Sequence, residues 1–340
     1  MSAQLELDRL SKVFGLDRAS GLDALNTGLS KAELLESTGQ VVGARDVSLT
    51  IESGELFVVM GLSGSGKTTL VPMINRLIEP TAGRVLLDGV DVTAMSAREL
   101  VELRRHKMSM VFQSFALLPH LSVIDNVAFG LRVAGVASKA ARRRSLAALQ
   151  LVGISEVADH RPDQLSGGMQ QRAGLARAWV TEPRIMLMDE AFSALDPLIR
   201  TEMQDALLEL QRTAKRTIVF ISHDLGEAVR IADRIAVMAE GEIRQVGTPA
   251  EIIENPADDY GRAFFRDGQP GRLFTAGDIA VPGAAGAGGE PVAARSLLED
   301  ILPRAAASEA PLPVADDKGR IIGFIDRTRL LQALAKGREP

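Results

Sequence analysis

Short apolar runs alternate with charged or alanine-rich stretches along the first two thirds of the chain. The runs predict strands at residues 5–13, 47–51, 56–60, 84–87, 108–112, 185–188 and 217–221. Stretches with the spacing of surface helices lie between them at residues 96–107, 122–131 and 139–152. Helical signals continue from residue 114 to about 161, which predicts a helical insert. Strands interleaved with helices indicate an α/β fold with a mainly buried sheet.

Capping and turn signals locate several element ends. Residues 16–40 form a polar, helix-prone insert, in which Ser30 and Glu33 predict a capping box for a helix at 31–37. An Asp-Pro pair at 196–197 predicts a helix start that continues to about residue 214. Further along, the sequence predicts a capping box at 248–251 and a hairpin turn at 240–241.

A glycine-rich stretch follows the strand predicted at 56–60 and opens a helix-like segment predicted to reach residue 78. Its members are Gly61, Leu62, Ser63, Gly64, Ser65, Gly66, Lys67, Thr68 and Thr69. The three glycines let backbone N–H groups turn inward around a phosphate, Lys67 can reach the terminal phosphates, and the Thr68 hydroxyl suits Mg²⁺. The spacing predicts a nucleoside triphosphate with magnesium rather than a merely flexible loop. By itself it leaves a kinase, a GTPase, a helicase and a transport ATPase open.

Polar side chains at the ends of two other predicted strands suit ATP hydrolysis, which needs charge neutralisation on the phosphates and a positioned water. Asp189 would hold the metal ion through its water shell. Glu190 would point elsewhere, because strand side chains alternate, and could act as general base. Paired acids at a strand end could instead cap the next helix. The amide oxygen of Gln113 can reach Mg²⁺ and the attacking water.

A third polar group precedes the alanine-rich helix that ends near residue 180. Ser166, Gly167 and Gly168 stand at its start, where free N–H groups and a positive helix dipole favour an anion. A Ser-Gly-Gly run is also common in ordinary turns, so this signal is weak when it is taken alone.

Composition narrows the class of protein. A length of 340 residues suggests an ATPase core with an attached segment, and a net charge of −5 disfavours nucleic acid as a partner. The absence of cysteine excludes disulfides and thiolate metal sites. No signal peptide is visible, and no apolar run approaches the ~20 residues that cross a bilayer. Any membrane role is therefore expected to come through a partner, and the arginines at 142–144 are interpreted as a solvated helix face rather than a lipid contact.

Taken together, these motifs resemble the ATP-binding subunits of ABC transporters over about residues 5–265, in the expected order. The matching elements are the phosphate loop at 61–69, the Gln-loop at Gln113, the signature Leu165-Ser166-Gly167-Gly168-Met169, the Walker B end at Asp189 and Glu190, the D-loop Ser193-Ala194-Leu195-Asp196 and the switch histidine His223. The resemblance implies a P-loop NTPase (RecA-like) core of α/β class with a helical subdomain at about 114–165.

The resemblance also implies roles for these residues. The expected catalytic residues are Glu190, His223, Gln113 and Lys67, and those near Mg²⁺ are Thr68, Gln113 and Asp189. The signature residues Ser166, Gly167 and Gly168 are expected to face the ATP of a second copy, so that a homodimer sandwiches two nucleotides. Asp196 of the D-loop is expected to contribute to nucleotide binding. An aromatic residue, often tyrosine, stacks on adenine in this family. Phe14 would do so here, with a core aromatic as the alternative.

Three stretches, at 61–67, 112–120 and 188–203, and the insert at 16–40 are similar to importers of quaternary amines such as glycine betaine, proline betaine or choline. The implied partners are an integral membrane permease and a periplasmic or lipid-anchored substrate-binding protein, with the ATPase peripheral on the cytoplasmic face of the inner membrane. The alternatives are an importer for another solute such as an amino acid, a soluble ABC ATPase, and a CBS-type ligand sensor.

The last part of the chain departs from the family pattern. We expect an ATPase domain at residues 1–267 and a tail at 268–340, with a Gly/Pro linker at 267–271 and a low-complexity stretch at 280–291. Residues 273–279 and 296–335 resemble pieces of a CBS module, with a strand-turn-strand and a closing helix of α+β type. CBS modules work as pairs, and one chain supplies too little for a pair. The tail could pair across the dimer, although a remnant or a packing role is favoured.

Overall fold

The computed structural model describes residues 3–113, 116–193, 195–266, 274–282, 289–308 and 310–335. The chain divides into two compact units. The first comprises Met1–His223 and Met238–Ile243, and the second comprises Asp224–Val237 and Arg244–Pro340. The domain boundary predicted near residue 267 stays a prediction, and the predicted linker lies outside the described residues.

The strands, in chain order, are β1 Ala3–Phe14, β2 Val41–Glu52, β3 Leu56–Met60, β4 Ala82–Leu87, β5 Val90–Asp91, β6 Met108–Val111, β7 Ile185–Asp189, β8 Thr217–Ser222, β9 Arg234–Ala239, β10 Glu242–Gly247, β11 Val292–Ala293, β12 Leu312–Ala315 and β13 Ile321–Ile325. Every strand predicted from the apolar runs is present. The hairpin predicted at 240–241 is also confirmed, since β9 and β10 flank it.

The helices are α1 Arg18–Asn26, α2 Lys31–Thr38, α3 Lys67–Ile74, α4 Ala97–His106, α5 Val123–Val133, α6 Ser138–Leu151, α7 Gly167–Trp179, α8 Pro197–Ala214, α9 Leu225–Ile231, α10 Pro249–Glu254, α11 Asp259–Arg266, α12 Ala276–Ile279, α13 Leu298–Ala307 and α14 Arg327–Ala335. Ser30 and Thr248 form the predicted capping boxes, and Asp196 caps α8. The prediction that α3 reaches residue 78 is wrong. The helix ends at Ile74, because Arg76 adopts a left-handed φ of 53°.

Strands of the first unit lie in two sheets rather than one. Strands β2, β1, β4 and β5 form an antiparallel sheet. The other sheet has β3, β8, β7 and β6 as parallel neighbours. Every residue of β3 and β8 is buried, whereas burial alternates in the second half of β2. This difference follows from burial on two faces in the parallel sheet and on one in the antiparallel sheet.

The parallel strands end at one edge of their sheet. Met60 of β3 pairs with Ser222 of β8, and Asp189 of β7 pairs with Ile221 of β8. The residues that follow these strands therefore emerge side by side, at the edge where ligands bind in open α/β sheets.

A small module with its own apolar core occupies the tail of the second unit. Strand β12 pairs with β11 in parallel and with β13 antiparallel, and α12, α13 and α14 contribute to the core. The predicted strand-turn-strand and closing helix are therefore present. Of the stretch predicted as low-complexity, residues 283–288 lie outside the described part. Within the described residues, no helix has the length and apolar character needed to span a membrane.

Candidate functional site

The phosphate loop joins β3 to α3 and folds tightly against the neighbouring strands. Gly66 caps α3 with a φ of 108°, a conformation that disfavours any side chain. A Cβ at this position would also overlap the carbonyl oxygen of Gly43. The loop therefore depends on glycine at position 66 both for its backbone turn and for space.

Lys67 lies buried beneath the loop. Its Nζ donates to the carbonyl oxygens of Gly61 at 2.7 Å and Leu62 at 2.9 Å, and contacts Ser65 Oγ at 3.2 Å. Burial lowers the pKa of the Lys67 ammonium, and the charge of Glu190 opposes this shift. The loop thus holds the Lys67 ammonium group against its first two residues, Gly61 and Leu62.

A cleft of 530 Å³ opens above the loop and brings together most of the predicted residues. Its lining consists of Phe14, Val41, Val42, Gly43, Leu62, Ser63, Gly64, Gly66, Lys67, Thr68, Thr69, Glu190 and His223. Residues 41–43 of β2 were not predicted, because nothing in a strand of ordinary composition indicates that it will border a ligand cleft.

Two carboxylates follow one another at the end of β7, and the second of them, Glu190, lines the cleft. Asp189 ends β7, and burial, assisted by the charge of Glu190, raises the pKa of its carboxyl. Glu190 adopts a left-handed φ of 44°. The predicted reason for the separation of the two side chains, strand alternation, is therefore wrong, because a tight turn after the strand sets the direction of Glu190.

Glu190 connects two further predicted residues. Gln113 Nε2 donates to one carboxylate oxygen at 3.2 Å, and His223 Nδ1 lies 3.4 Å from the other. Three residues from the ends of β6, β7 and β8 thus converge, as expected from the parallel register. An acid held between an amide and an imidazole can accept a proton from a water in the cleft.

Phe14 ends β1 and lines the cleft. Its ring is 38% exposed, and Lys12 Nζ lies 5.1 Å from the ring centroid. Phe14 is therefore not a core aromatic in this structure, and its stacking on adenine stays a prediction.

The signature residues lie elsewhere in the first unit. Ser166 caps α7 by accepting from the backbone N–H of Met169 at 3.3 Å, and Asp196 caps α8 by accepting from Ile199 at 3.1 Å. A Cβ on Gly168 would come within 2.6 Å of Ile199 Cγ2, so the starts of α7 and α8 are in close contact. Ser166, Gly167, Gly168 and Asp196 are not among the described residues that line the cleft.

A second depression, of 600 Å³, lies on the first unit between α4, β6, α5 and α7. Leu77, Val101, Phe129 and Val133 are exposed in it. We refer to it as the apolar groove. The arginine run at 142–144, by contrast, carries ion pairs to other parts of the chain, such as Arg144 with Glu182 at 2.9 Å, in agreement with a solvated helix face.

Comparison with known proteins places these elements in a common context. Residues 44–193 match the family model described as "ABC transporter". The chain is 58% identical over 280 residues to the glycine betaine/proline betaine transport system ATP-binding protein ProV of Salmonella typhimurium, an alignment that covers 82% of this chain and 70% of the relative.

A second relative matches nearly the whole chain, and a solved structure shares the fold. The trimethylamine N-oxide transport system ATP-binding protein TmoW of Ruegeria pomeroyi is 45% identical over 325 residues, or 96% of this chain and 95% of the relative. A dimeric ATP-binding cassette solved in a post-hydrolysis state with ADP and Pi superposes with a TM-score of 0.61 at 30% identity, over 72% of this chain and 98% of the cassette.

Proposed function

The chain belongs to the ATP-binding subunits of ABC transporters, and from that premise we propose that it hydrolyses ATP to drive import of a solute with a fully substituted nitrogen through a membrane permease. The observation that carries the proposal is the cleft itself. It combines the phosphate loop, Lys67 and Thr68 with Glu190 and His223 at one sheet edge.

Glu190 is proposed as the general base of hydrolysis. Its carboxylate would take a proton from the attacking water while Gln113 and His223 contact its two oxygens. Lys67 donates to carbonyl oxygens of its own loop. Charged phosphate oxygens are stronger acceptors, so Lys67 would donate to the phosphates of bound ATP instead. The N–H groups of the loop would hold the β-phosphate.

Magnesium fits the residues present. Asp189 is a partly buried carboxylate whose raised pKa reflects burial beside a second acid, and a nearby cation would relieve that cost. Thr68 and Glu190 both line the cleft, and Glu190 follows Asp189 in the chain and accepts a hydrogen bond from Gln113. Asp189, Thr68 and Gln113 would hold the ion, which supplies charge neutralisation on the transferred phosphoryl group.

Dimerisation is part of the proposal. Ser166, Gly167, Gly168 and Asp196 lie outside the cleft of their own chain, at helix starts that can bind an anion. A second copy placed head to tail would bring these residues to the opposite ATP. The cassette bound to ADP and Pi, with 30% identity, is itself dimeric.

The apolar groove is the proposed docking site for the permease. Its exposed Phe129 and Val133 on α5, with Val101 on α4, form a concave apolar surface that a cytoplasmic helix of the permease would cover. The subunit would then act on the cytoplasmic face of the membrane, and a substrate-binding protein would deliver the solute from the other side.

Glycine betaine or proline betaine is the proposed solute, because the relative that carries this name shares 58% identity. Trimethylamine N-oxide is the second candidate. The alignment with the relative of that name covers 96% of this chain, including most of the tail. The alignment with the betaine relative covers 82%. All three solutes are small, and each carries a methylated nitrogen with four substituents.

The test is ATP hydrolysis by the subunit assembled with its permease in proteoliposomes. Binding protein loaded with glycine betaine should stimulate phosphate release, trimethylamine N-oxide should do so less, and an amino acid such as histidine should not. Stimulation by trimethylamine N-oxide alone would favour the second candidate. Stimulation by histidine alone would contradict both.

A further inference from the structure

The helical insert at residues 16–40 takes no part in the proposed hydrolysis, yet it packs onto the strands that border the cleft. Leu25 of α1 and Leu34 of α2 are buried against Val13 of β1 and Val42 of β2. Val13 precedes Phe14, and Val42 itself lines the cleft. The insert is therefore a supporting layer behind the nucleotide side of the first unit.

The turn between β9 and β10 lies directly against the phosphate loop. Glu240 and Gly241 adopt left-handed φ values of 48° and 82°. The Gly241 N–H donates to the carbonyl oxygen of Ser65 at 2.8 Å, and a Cβ on Gly66 would lie 3.3 Å from Gly241 Cα. Movement of this turn would therefore displace the phosphate loop.

Two cations join this turn to the insert. The backbone N–H of Arg45 donates to the Gly241 carbonyl at 2.8 Å. The Arg45 guanidinium lies 3.5 Å from the Glu242 carboxylate and donates to the Leu25 carbonyl in α1 at 2.8 Å. Lys31 opens α2, and its Nζ is 3.4 Å from the Cβ position of Gly241. Burial lowers the pKa of Lys31, while the charges of Glu240 and then Glu242 oppose that shift.

We propose that Arg45 and Lys31 are positioning residues for ATP, which clasp the turn at residues 240–242 between the insert and the phosphate loop. This proposal rests on the ATP site proposed above. Neither residue is among those that line the cleft. A phosphate cradle of backbone N–H groups binds well only when those groups are held in place beforehand, so a looser turn weakens ATP binding rather than the chemical step.

The direct test is the double variant Arg45→Met with Lys31→Met, which keeps the side-chain stems and removes both charges. The dissociation constant for Mg-ATP should rise by about three- to tenfold, as expected for partly exposed charge contacts. Turnover at saturating ATP in the assembled transporter should change by less than about twofold. Lys139→Met, an exposed cation on α6, is the matched control and should bind ATP as wild type does.

Charge reversal separates positioning from lost packing. Arg45→Glu should weaken ATP binding, and adding Glu242→Arg should restore it toward wild type, which a simple packing defect would not allow. Melting temperatures without nucleotide show whether each variant is folded. Should Arg45→Met fail to fold, Glu242→Gln removes only the partner charge and should still weaken ATP binding.

Two outcomes would overturn the proposal in distinguishable ways. If wild type and Lys139→Met bind ATP and the folded double variant binds it with a dissociation constant within twofold of theirs, the clasp has no role in positioning. If wild type binds no ATP at all, the proposed function fails first, and the clasp fails with it.

Discussion

At the scale of single residues, Glu190 adopts a constrained backbone conformation in the cleft. Its left-handed φ of 44° is a strained conformation for a residue with a side chain, costing of order 1–3 kcal/mol. Two hydrogen bonds stabilise this conformation. The Glu190 N–H donates to the Ile221 carbonyl at 3.2 Å, and Ser193 Oγ donates to the Glu190 carbonyl at 2.9 Å. In this conformation the carboxylate contacts both Gln113 and His223.

Replacing Glu190 by glutamine tests its proposed role as base. The amide keeps the size and hydrogen-bonding reach of the side chain but cannot accept a proton at neutral pH. ATP binding should persist, turnover should fall by roughly 10²–10⁴-fold, and an ATP-bound dimer should accumulate. Phosphate release and nucleotide binding by the assembled transporter measure these effects, with the exposed Glu36→Gln of α2 as control. Turnover within a few-fold of wild type would remove Glu190 from this role.

At the scale of elements, the starts of α7 and α8 form one unit of packing. Gly168 leaves room for Ile199, and Arg172 of α7 forms an ion pair with Glu202 of α8 while donating to the Val152 carbonyl at 2.9 Å. The signature and the D-loop are therefore expected to present themselves together to a second copy. Ala194 of the D-loop lies outside the described residues.

Mixing two defective subunits tests this shared presentation. Ser166→Arg should leave ATP binding by the monomer intact and abolish cooperative hydrolysis, whereas Lys67→Ala should weaken ATP binding and abolish hydrolysis through loss of the phosphate-binding cation. A mixed dimer has one site with both lesions and one with neither, so the mixture should hydrolyse ATP faster than either variant alone. Ser166→Asn retains the helix cap and controls for its loss. A mixture as inactive as its components would contradict the shared site.

The sequence predicts the individual strands and helices of this fold better than it predicts which strands pair with one another. Apolar runs and capping residues predict β3, β7, β8 and the helix that starts at Pro197, because local spacing and capping chemistry decide them. The separate antiparallel sheet, by contrast, depends on pairing between distant strands. Motif spacing identifies the phosphate loop and Glu190, but the left-handed turn at Glu190 and the contact of Gly241 with the loop are tertiary features without a local signal.

At the scale of the whole molecule, the tail module contacts α9 and its end within the second unit. Arg295 donates to the Ile231 carbonyl at 3.0 Å and pairs with Asp233 at 2.6 Å, and Arg230 pairs with Asp300 at 3.1 Å. The side chains of Arg295 and Asp233 are about one third exposed, so each such pair contributes on the order of 0–1 kcal/mol. These contacts attach the module to α9 through partly exposed ion pairs and one backbone hydrogen bond.

Deletion of residues 268–340 should therefore leave basal ATPase activity, with the permease present, within about twofold of wild type, an effect of under ~0.5 kcal/mol on the barrier. Arg295→Met, which removes one attachment, should have a smaller effect. If the module regulates transport, truncation should change the dependence of uptake on salt, because partly exposed ion pairs weaken as ionic strength rises. Superimposable salt curves would support a packing role, and loss of a salt threshold would contradict it.

The most direct test of the account is uptake of labelled glycine betaine by proteoliposomes that contain the subunit, its permease and the binding protein. With Mg-ATP on the side of the subunit, the label should accumulate above its external concentration, and Glu190→Gln should abolish accumulation while ATP remains bound. Accumulation that proceeds equally without ATP, or with the Glu190→Gln subunit, would contradict the claim that hydrolysis in this cleft drives the import of a betaine.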